Sequence, residues 1–409
     1  MRGRTRALLC IGALLLTESA GNAQEERRGA SPLNLPRPGY EPVPIRSGNT
    51  VISLELETEA LYDSNVFAQS QDEMGDAVIN ARPRVEVVNE NANWTLRGEG
   101  YGNIRRFLDL TRENSETYGA AAIADYRFGS GHAIRGEARF DHEIESRADP
   151  ERRAGALDRP RQIDIPLTQI QYTYTGNRLG LGATAAVQRY NYLASAESDR
   201  DMTVYRGSVQ ASLEIAAPFR VFGEAYVNRR DFDEAADLSG VNRDTTSYGM
   251  LIGGLREITG RLRGRLGAGV FRSEPKDPQL EAFTGVSVSG DLTWSPRART
   301  AITAQVFRGD VATVRSGASG RVDTRASLRL DQEARHNLMF SVIGGVRNTQ
   351  YRGLSTRDQT TFSADFQVDY LLNRAVSVFG FARWASRSAN VPTDEFDRSM
   401  IGVGVRLRR

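Results

Sequence analysis

From Thr50 to the C-terminus, apolar and polar residues alternate one by one in segments of about 14 to 17 residues, separated by turn-forming residues. A period of two marks strands, because successive side chains point to opposite faces of a sheet. In the first segment Ile52, Leu54, Leu56 and Ala60 share one face, and Ser53, Glu55, Glu57 and Glu59 the other. Near 131–145, Ile134, Gly136, Ala138, Phe140 and Ile144 oppose Arg135, Glu137, Arg139, Asp141, Glu143 and Glu145. At 321–331, Val322, Thr324, Ala326, Leu328 and Leu330 oppose Arg321, Asp323, Arg325, Arg329 and Asp331. One face of each strand wants lipid and the other water, whereas a soluble sandwich would turn the charged face outward.

Counting segments predicts an all-β fold, a transmembrane antiparallel β-barrel of about 18 strands (16–18). The strands are expected to begin near residues 51, 77, 92, 115, 132, 162, 177, 201, 219, 243, 261, 281, 298, 321, 336, 358, 375 and 396. The count is even, as in bacterial single-chain barrels. The connections alternate in length. Short turns are expected at Asn89-Glu90-Asn91, Gly129-Ser130-Gly131, Thr175-Gly176-Asn177, Ala217-Pro218, Thr259-Gly260, Ser295-Pro296 and Leu372-Asn373. Longer connections fall near 64–76, 148–161, 193–200, 234–242 and 310–320. This is the order of periplasmic turns and extracellular loops. Trp94, Tyr126, Phe128, Tyr172, Tyr174, Trp294, Tyr370 and Trp384 fall near strand ends, where interfacial girdles place aromatic residues.

Ahead of the barrel, expected at 50–409, two segments break the alternation. Residues 1–23 follow the export-signal pattern: basic Arg2, Arg4 and Arg6, an apolar run from Ala7 to Leu16, and small residues at Gly21-Asn22-Ala23. No later stretch approaches the ~20 apolar residues of a membrane-spanning helix. Residues 24–49, with Pro32, Pro36, Pro38, Pro42 and Pro44, read as an extended, largely unstructured periplasmic arm.

Composition narrows the function. The only cysteine, Cys10, lies inside the signal, so the exported chain has no thiol for a disulfide or a metal. Removing residues 1–23 takes 3 of the 53 basic and 1 of the 51 acidic residues, leaving 50 of each. A neutral chain is not a nucleic-acid binder by charge. Positive charge is almost all arginine, with Lys276 the only lysine.

Barrels of about 16 to 18 strands leave an aqueous channel, whereas eight-stranded ones are filled by their own side chains. The lumen wall is expected to carry Glu55, Glu57, Glu59, Arg82, Arg84, Glu86, Arg97, Glu99, Arg135, Glu137, Arg139, Arg261, Arg263, Arg265, Arg321, Asp323, Arg325, Arg329, Asp365 and Asp369. Arg263 with Arg265, and Arg82 with Arg84, sit two apart on one face and could form basic ladders for anionic or carbohydrate solutes. The plainer expectation is pairing with carboxylates across strands.

No enzyme is expected. His132, His142 and His336 sit in no recognisable catalytic motif: the first and last are placed at the periplasmic rim, the second on an apolar face near the outer rim. No cofactor is called for, and the histidines are not spaced as metal ligands, though the acidic loop at Asp72-Glu73 and Asp76 admits weak calcium binding. Gly264, Gly267, Gly269, Gly402 and Gly404 precede no helix that would make a phosphate loop, and are expected to serve strand curvature and close packing.

Leu61-Tyr62-Asp63-Ser64-Asn65-Val66-Phe67 closes the first strand. Tyr62, Asp63, Ser64, Asn65 and Val66 match an element of the putative β-barrel porin type 2 family, which the chain resembles in architecture over nearly its whole exported length. The resemblance implies a Gram-negative outer-membrane barrel, embedded in outer-membrane lipid and inserted by the barrel assembly machinery. It also implies exopolysaccharide export, with periplasmic polysaccharide-export proteins as partners. One departure is the C-terminus: Ile401, Val403, Val405 and Leu407 alternate, but Arg408-Arg409 stands where barrel assembly signals end in an aromatic residue. Asp63 and Asn65 are expected to shape a turn through side-chain bonds to backbone. The function expected is a porin-like channel for a polysaccharide or other hydrophilic solute. The alternative is a structural or surface-polysaccharide-binding barrel whose lumen is plugged by folded-in loops; the arm and the loop at 148–161, with Arg152, Arg153, Arg159 and Arg161, are the candidates for occlusion or docking.

Overall fold

The computed structural model describes residues 31–152, 159–217, 219–259 and 261–409. The export signal expected at 1–23, the start of the arm, Arg153, and Pro218 and Gly260 of two expected turns lie outside the described residues.

The strands in chain order are β1 (Ile45–Ser47), β2 (Thr50–Asp63), β3 (Asp76–Glu90), β4 (Trp94–Phe107), β5 (Ser115–Phe128), β6 (His132–Ile144) and β7 (Gln162–Thr175). There follow β8 (Leu179–Tyr192), β9 (Met202–Ala216), β10 (Phe219–Phe232), β11 (Thr245–Thr259), β12 (Leu262–Pro275) and β13 (Phe283–Arg297). The last are β14 (Thr300–Val311), β15 (Ala318–Arg335), β16 (Leu338–Gly353), β17 (Asp358–Leu371), β18 (Val376–Ala389) and β19 (Phe396–Arg408). From β2 onward every strand begins within three residues of its expected position.

Each strand pairs antiparallel with the next, and β19 returns to β2, from Met400 opposite Asp63 to Arg408 opposite Glu55. The 19-stranded sheet less the appended β1 is therefore a closed ring of 18 strands. Closure is what hydrocarbon demands, since an open edge there would leave backbone groups unpaired at several kcal/mol each. β1 covers the part of β2 that β19 does not reach: Ile45 lies opposite Ile52 and Ser47 opposite Thr50. Just beyond it, Leu54 and Arg409 exchange backbone hydrogen bonds of 2.7 and 2.8 Å.

The outward positions carry large apolar side chains, of which Ile252 is 70% and Val403 67% exposed. At the periplasmic end of β5–β7 an aromatic belt forms: Tyr126 stacks on Phe128 and Phe128 on His132, whose Nδ1 lies 2.8 Å from the Tyr172 hydroxyl. Trp384, expected near a strand end, instead sits mid-strand in β18, opposite Ala364 and Ser399.

Three connections differ from expectation. β13 runs through Ser295-Pro296 to Arg297 and the turn falls at 298–299; the pairing with β14 is irregular between Trp294 and Arg297, where a proline, lacking an N–H, is tolerated in a strand. β3 likewise runs through Glu90, so its turn is 91–93. The loop expected at 310–320 is shorter, 312–317, because β14 runs on to Val311 and β15 begins at Ala318.

That third difference changes the lumen. β13 pairs β14 only from Val288 opposite Arg308 downward, while β14 and β15 continue together to Val311 opposite Arg321. The released hairpin leans inward, and Asp310 on its back accepts from Arg230 of β10 (2.6 Å) and Ser247 of β11 (2.5 Å). Alternation alone puts Val322 on the lipid side, yet it is 3% exposed, at a level where β15 still pairs with β16 but β14 has parted from β13.

Candidate functional site

The inner faces of the staves carry a band of arginines and carboxylates held in register by strand pairing. Arg82 reaches Glu57 (2.6 Å) and Glu59 (2.5 Å), and Arg406 bridges Glu57 (2.6 Å) to Asp369 (2.9 Å). Around the ring, Arg84 pairs with Glu99 (2.7 Å), which also meets Arg139 (3.2 Å), and Arg139 meets Glu137 (3.1 Å). Arg97 lies 3.3 Å from Glu86 and Arg135 3.5 Å from Asp125. Farther round, Arg265 reaches Glu224 (2.6 Å), Arg329 reaches Asp331 (2.8 Å), and Arg383 lies 3.6 Å from Asp365. Asp323 gathers three guanidiniums: Arg325 (2.5 Å), Arg347 (2.8 Å) and Arg321 (3.5 Å). Glu55 lies opposite Arg84 in register, and Arg263 opposite Thr293. Arg261 precedes β12, at the periplasmic turn, with Nη1 3.4 Å from the Pro296 carbonyl.

Several of these partners, among them Asp125, Glu224, Arg347, Arg383 and Arg406, were not singled out from sequence. The period-two rule reaches them, because they share a face with residues that were: Arg383 and Arg406 alternate with outward Trp384 and Val405. Arg230 and Asp310 carried no such signal, since their contact depends on the hairpin leaving the wall.

Two connections enter the extracellular half of the lumen. Residues 145–152, after β6, cross to the far side of the ring. There Glu151 meets Arg321 of β15, its Oε2 accepts from the Thr313 hydroxyl and the Val314 N–H (both 2.9 Å), and its Oε1 lies 3.2 Å from the Tyr351 hydroxyl. Arg315 donates to the Pro150 carbonyl (2.7 Å), and Arg387 of β18 to that of Ala148. From the other side the 312–317 tip reaches the inner wall of β7–β9, where Val314 packs with Ile163, Ile165, Tyr192, Met202 and Val204. At its foot the crossing loop is held by a buried cluster: Arg161 reaches Glu145 (3.1 Å) and Glu197 (3.0 Å), and fully buried Arg200 reaches Glu145 (2.5 Å) and Glu197 (2.9 Å) over the Tyr192 ring.

Burial sets the protonation of the loop. The Asp149 carboxyl is pushed up to about 6 by burial, against the pull of Arg321. Burial also penalises the Glu151 carboxylate, but Arg321, Arg315, the Val314 N–H and the Thr313 hydroxyl outweigh it and hold the group below its ordinary range.

The arm read as unstructured also enters the barrel, at the periplasmic end. Pro32–Asn34 form one 3-10 turn, Ser31 donates to Asp331 (2.6 Å), and Arg37 lies 3.5 Å from Glu333, both carboxylates on β15. Tyr40 packs edge-on against His336.

The Tyr62–Val66 element fastens the ring at its first and last strands. Asp63 pairs with Arg398 of β19 (Nε at 2.9 Å) and accepts from the Asn65 N–H (3.2 Å). Ser64 and Ser399 exchange two bonds of 2.9 Å, and fully buried Asn65 donates to the carbonyls of Gln69 (2.7 Å) and Asp397 (2.8 Å). Val66 joins Leu61, Val78, Phe107, Phe379 and Phe381 in an apolar cluster on the inner wall, while Tyr62 points outward. Near this seam Gly404 faces the Phe379 ring, and a Cβ there would come within 2.6 Å of the Thr58 carbonyl.

The histidines lie on separate strands or turns. His132 sits in the aromatic belt, His336 in the turn before β16, and His142 bonds Asp164 (2.7 Å) while stacked on Tyr118, on the outward face near the extracellular rim. Among the described residues no group of three or more His, Cys, Asp or Glu is arranged to hold a metal.

The family model described as "Putative beta-barrel porin 2" matches residues 37–409. A comparison with curated proteins finds no match. Solved structures similar in fold include OccAB3 of Acinetobacter baumannii, 10% identical with a TM-score of 0.47, over 89% of this chain and 100% of that one. Others are opdK of Pseudomonas aeruginosa (10%, TM-score 0.44, 88% and 99% covered) and the siderophore receptor PirA of the same organism (8%, 0.44, 88% and 80%). Likeness at this level extends to no solute, gate or residue. Matched by the family model from residue 37 to its end, the chain belongs to the putative beta-barrel porin 2 family, as an outer-membrane β-barrel channel.

Proposed function

We propose that the barrel passes a hydrophilic solute across the Gram-negative outer membrane, with a polysaccharide the foremost candidate, and that it is not an enzyme. The observation that carries this reading is the wall: 18 strands enclose a lumen lined by mutually paired arginines and carboxylates, from the Arg329–Asp331 pair near the periplasmic end to Arg321 near the other. Paired charges keep such a passage wet without fixing one sign of ion. In this reading the barrel assembly machinery inserts the chain, and periplasmic polysaccharide-export proteins deliver the solute at the end where residues 31–40 line the wall.

A second reading, a plugged structural or polysaccharide-binding barrel, draws support from the crossing loop and the inward hairpin. Single-channel conductance of the refolded protein in a planar bilayer separates the two. Steady conductance, rising on deletion of 24–44, is expected for the channel. Silence both with and without that segment would overturn it in favour of the plugged barrel.

A further inference from the structure

The crossing loop rests on the wall in a chemically specific way. Glu151 is received by the Arg321 guanidinium, the Thr313 hydroxyl and the Val314 N–H, and its Oε1 lies 3.2 Å from the Tyr351 hydroxyl, whose proton goes to the Pro150 carbonyl of the same loop (2.8 Å) and is freed when the loop lifts. None of these donors belongs to the loop; they come from β15, β16 and the 312–317 tip. The tip has its own supports: Arg243 donates to the Val314 carbonyl (2.8 Å), and the Gly317 N–H to Asp237 (2.7 Å). The donors therefore stay in place when Glu151 leaves. Around them lie Arg325 and Arg347, which share Asp323 with Arg321, and Arg387. Arg347 Nε is buried without an acceptor among the described residues. With the loop lifted, this stretch of wall sets four arginines around the carboxylate of Asp323, with Asp394 near Arg387 already paired to Arg357, and three donors beside Arg321 point at an empty place of carboxylate size.

We propose that this place is a binding site for a carboxylate borne by the solute, and that Glu151 is its resident stand-in. The solute class is then an acidic sugar chain or another hydrophilic molecule carrying carboxylates. Its carboxylate accepts from Arg321, Thr313, Val314 and Tyr351, and a second acidic group along the same molecule meets Arg347. A planar guanidinium beside fixed neutral donors suits a carboxylate, because both oxygens are satisfied at once. Binding displaces Glu151, so the solute itself draws the loop off the wall. The proposal rests on the channel reading for how the solute arrives, but the site exists whether or not the channel conducts.

The test is a calorimetric titration of the refolded, detergent-solubilised full exported chain with trigalacturonate, and with uncharged maltotriose as control. A tethered group competes at an effective concentration on the order of millimolar, so removing it is expected to tighten trigalacturonate binding by about tenfold or more. Glu151→Gln is expected to show this gain and Glu151→Asp, one methylene shorter, a smaller one, while maltotriose changes with neither. Adding Arg347→Gln to Glu151→Gln is expected to reverse the gain. Heat-modifiable migration on gels establishes that each variant is a folded barrel, and Glu151→Asp carries the test if Glu151→Gln does not fold. Equal trigalacturonate affinity in wild type and both variants would overturn the site, as would an equal gain for maltotriose. The gain without conductance in any variant would sink the channel reading and leave the site standing; conductance without the gain would do the reverse.

Discussion

Glu151, in the connection after β6, is seated on Arg321 of β15, nine strands away around a ring of 18. In a closed ring no two staves are farther apart. This contact therefore spans the lumen and cannot form along the wall.

Removing the Glu151 charge leaves Arg321 buried without its partner from the loop. Breaking a buried pair in this way costs about 3–5 kcal/mol, which weakens the far end of the loop against its remaining bonds to Arg315, Arg387 and Tyr351. Glu151→Gln is expected to raise single-channel conductance while leaving heat-modifiable migration unchanged; conductance equal to wild type would show that the loop does not limit flow.

Acidification acts through Asp149. Its carboxyl is raised from 3.8 to about 6 in the docked loop, chiefly by burial, with Arg321 and Arg347 opposing. A raised carboxyl favours the docked state in its protonated form, so docking strengthens as pH falls through about 6 and weakens as pH rises. Glu151, held below its ordinary range, keeps its charge in this window and loses it only at lower pH. Conductance is expected to fall between pH 7.5 and pH 5, and Asp149→Asn to hold the low value at both. A rise on acidification would contradict the assignment.

At the other end, Arg37→Ala removes the contact with Glu333 and the bonds to the Leu33 and Leu35 carbonyls that fold residues 31–37 on the wall. Because the ring closes through β19 and β2, and β1 keeps its own pairing with β2, the barrel stays closed. The expected result is faster access for a polymeric blocker added from the periplasmic side, with unchanged urea stability; access rates equal to wild type would place the segment outside the path.

The two faces of one strand separate lipid from water. Ile252→Arg puts a charge at an outward, mid-strand position of β11 and is expected to cost about 2–4 kcal/mol. Gln305→Arg, on the inner face of β14 opposite Asp291, is expected to change stability by less than about 0.5 kcal/mol. Urea unfolding from lipid vesicles measures both, and equal costs would mean that the faces had been misassigned.

The strands were legible because lipid on one side and water on the other write the same alternation into every stave, and turn residues such as Gly129 and Gly131, at φ 58° and 84°, mark where the chain reverses. Glu57, Glu59, Arg82 and Glu99 could be placed on the wall by that rule alone. The crossing of the lumen could not. Glu151 sits in a polar connection without periodicity, and its partner Arg321 reads as one more alternating residue; the parting of β14 from β13 near Arg308 leaves no mark in composition. The role of Asp63 and Asn65 was half legible: their short bonds to neighbouring backbone follow from residue type, whereas those to Arg398 and Asp397 join positions more than 330 residues apart.

That separation also orders events in time. Seventeen of the 18 strand pairings in the ring join neighbours in sequence and can zip as each hairpin emerges, but the pairing of β19 with β2 must wait for the last residues of the chain. Until then both strands carry raw edges, the condition in which sheets recruit foreign strands. β1 shortens the edge of β2 that stands waiting, and the Asp63–Arg398 and Asn65–Asp397 contacts act as a latch that can engage only once, when the final strand arrives. The Asp63 and Asn65 contacts thus report completion of the barrel, and a chain that stalls before Phe396 has nothing to latch.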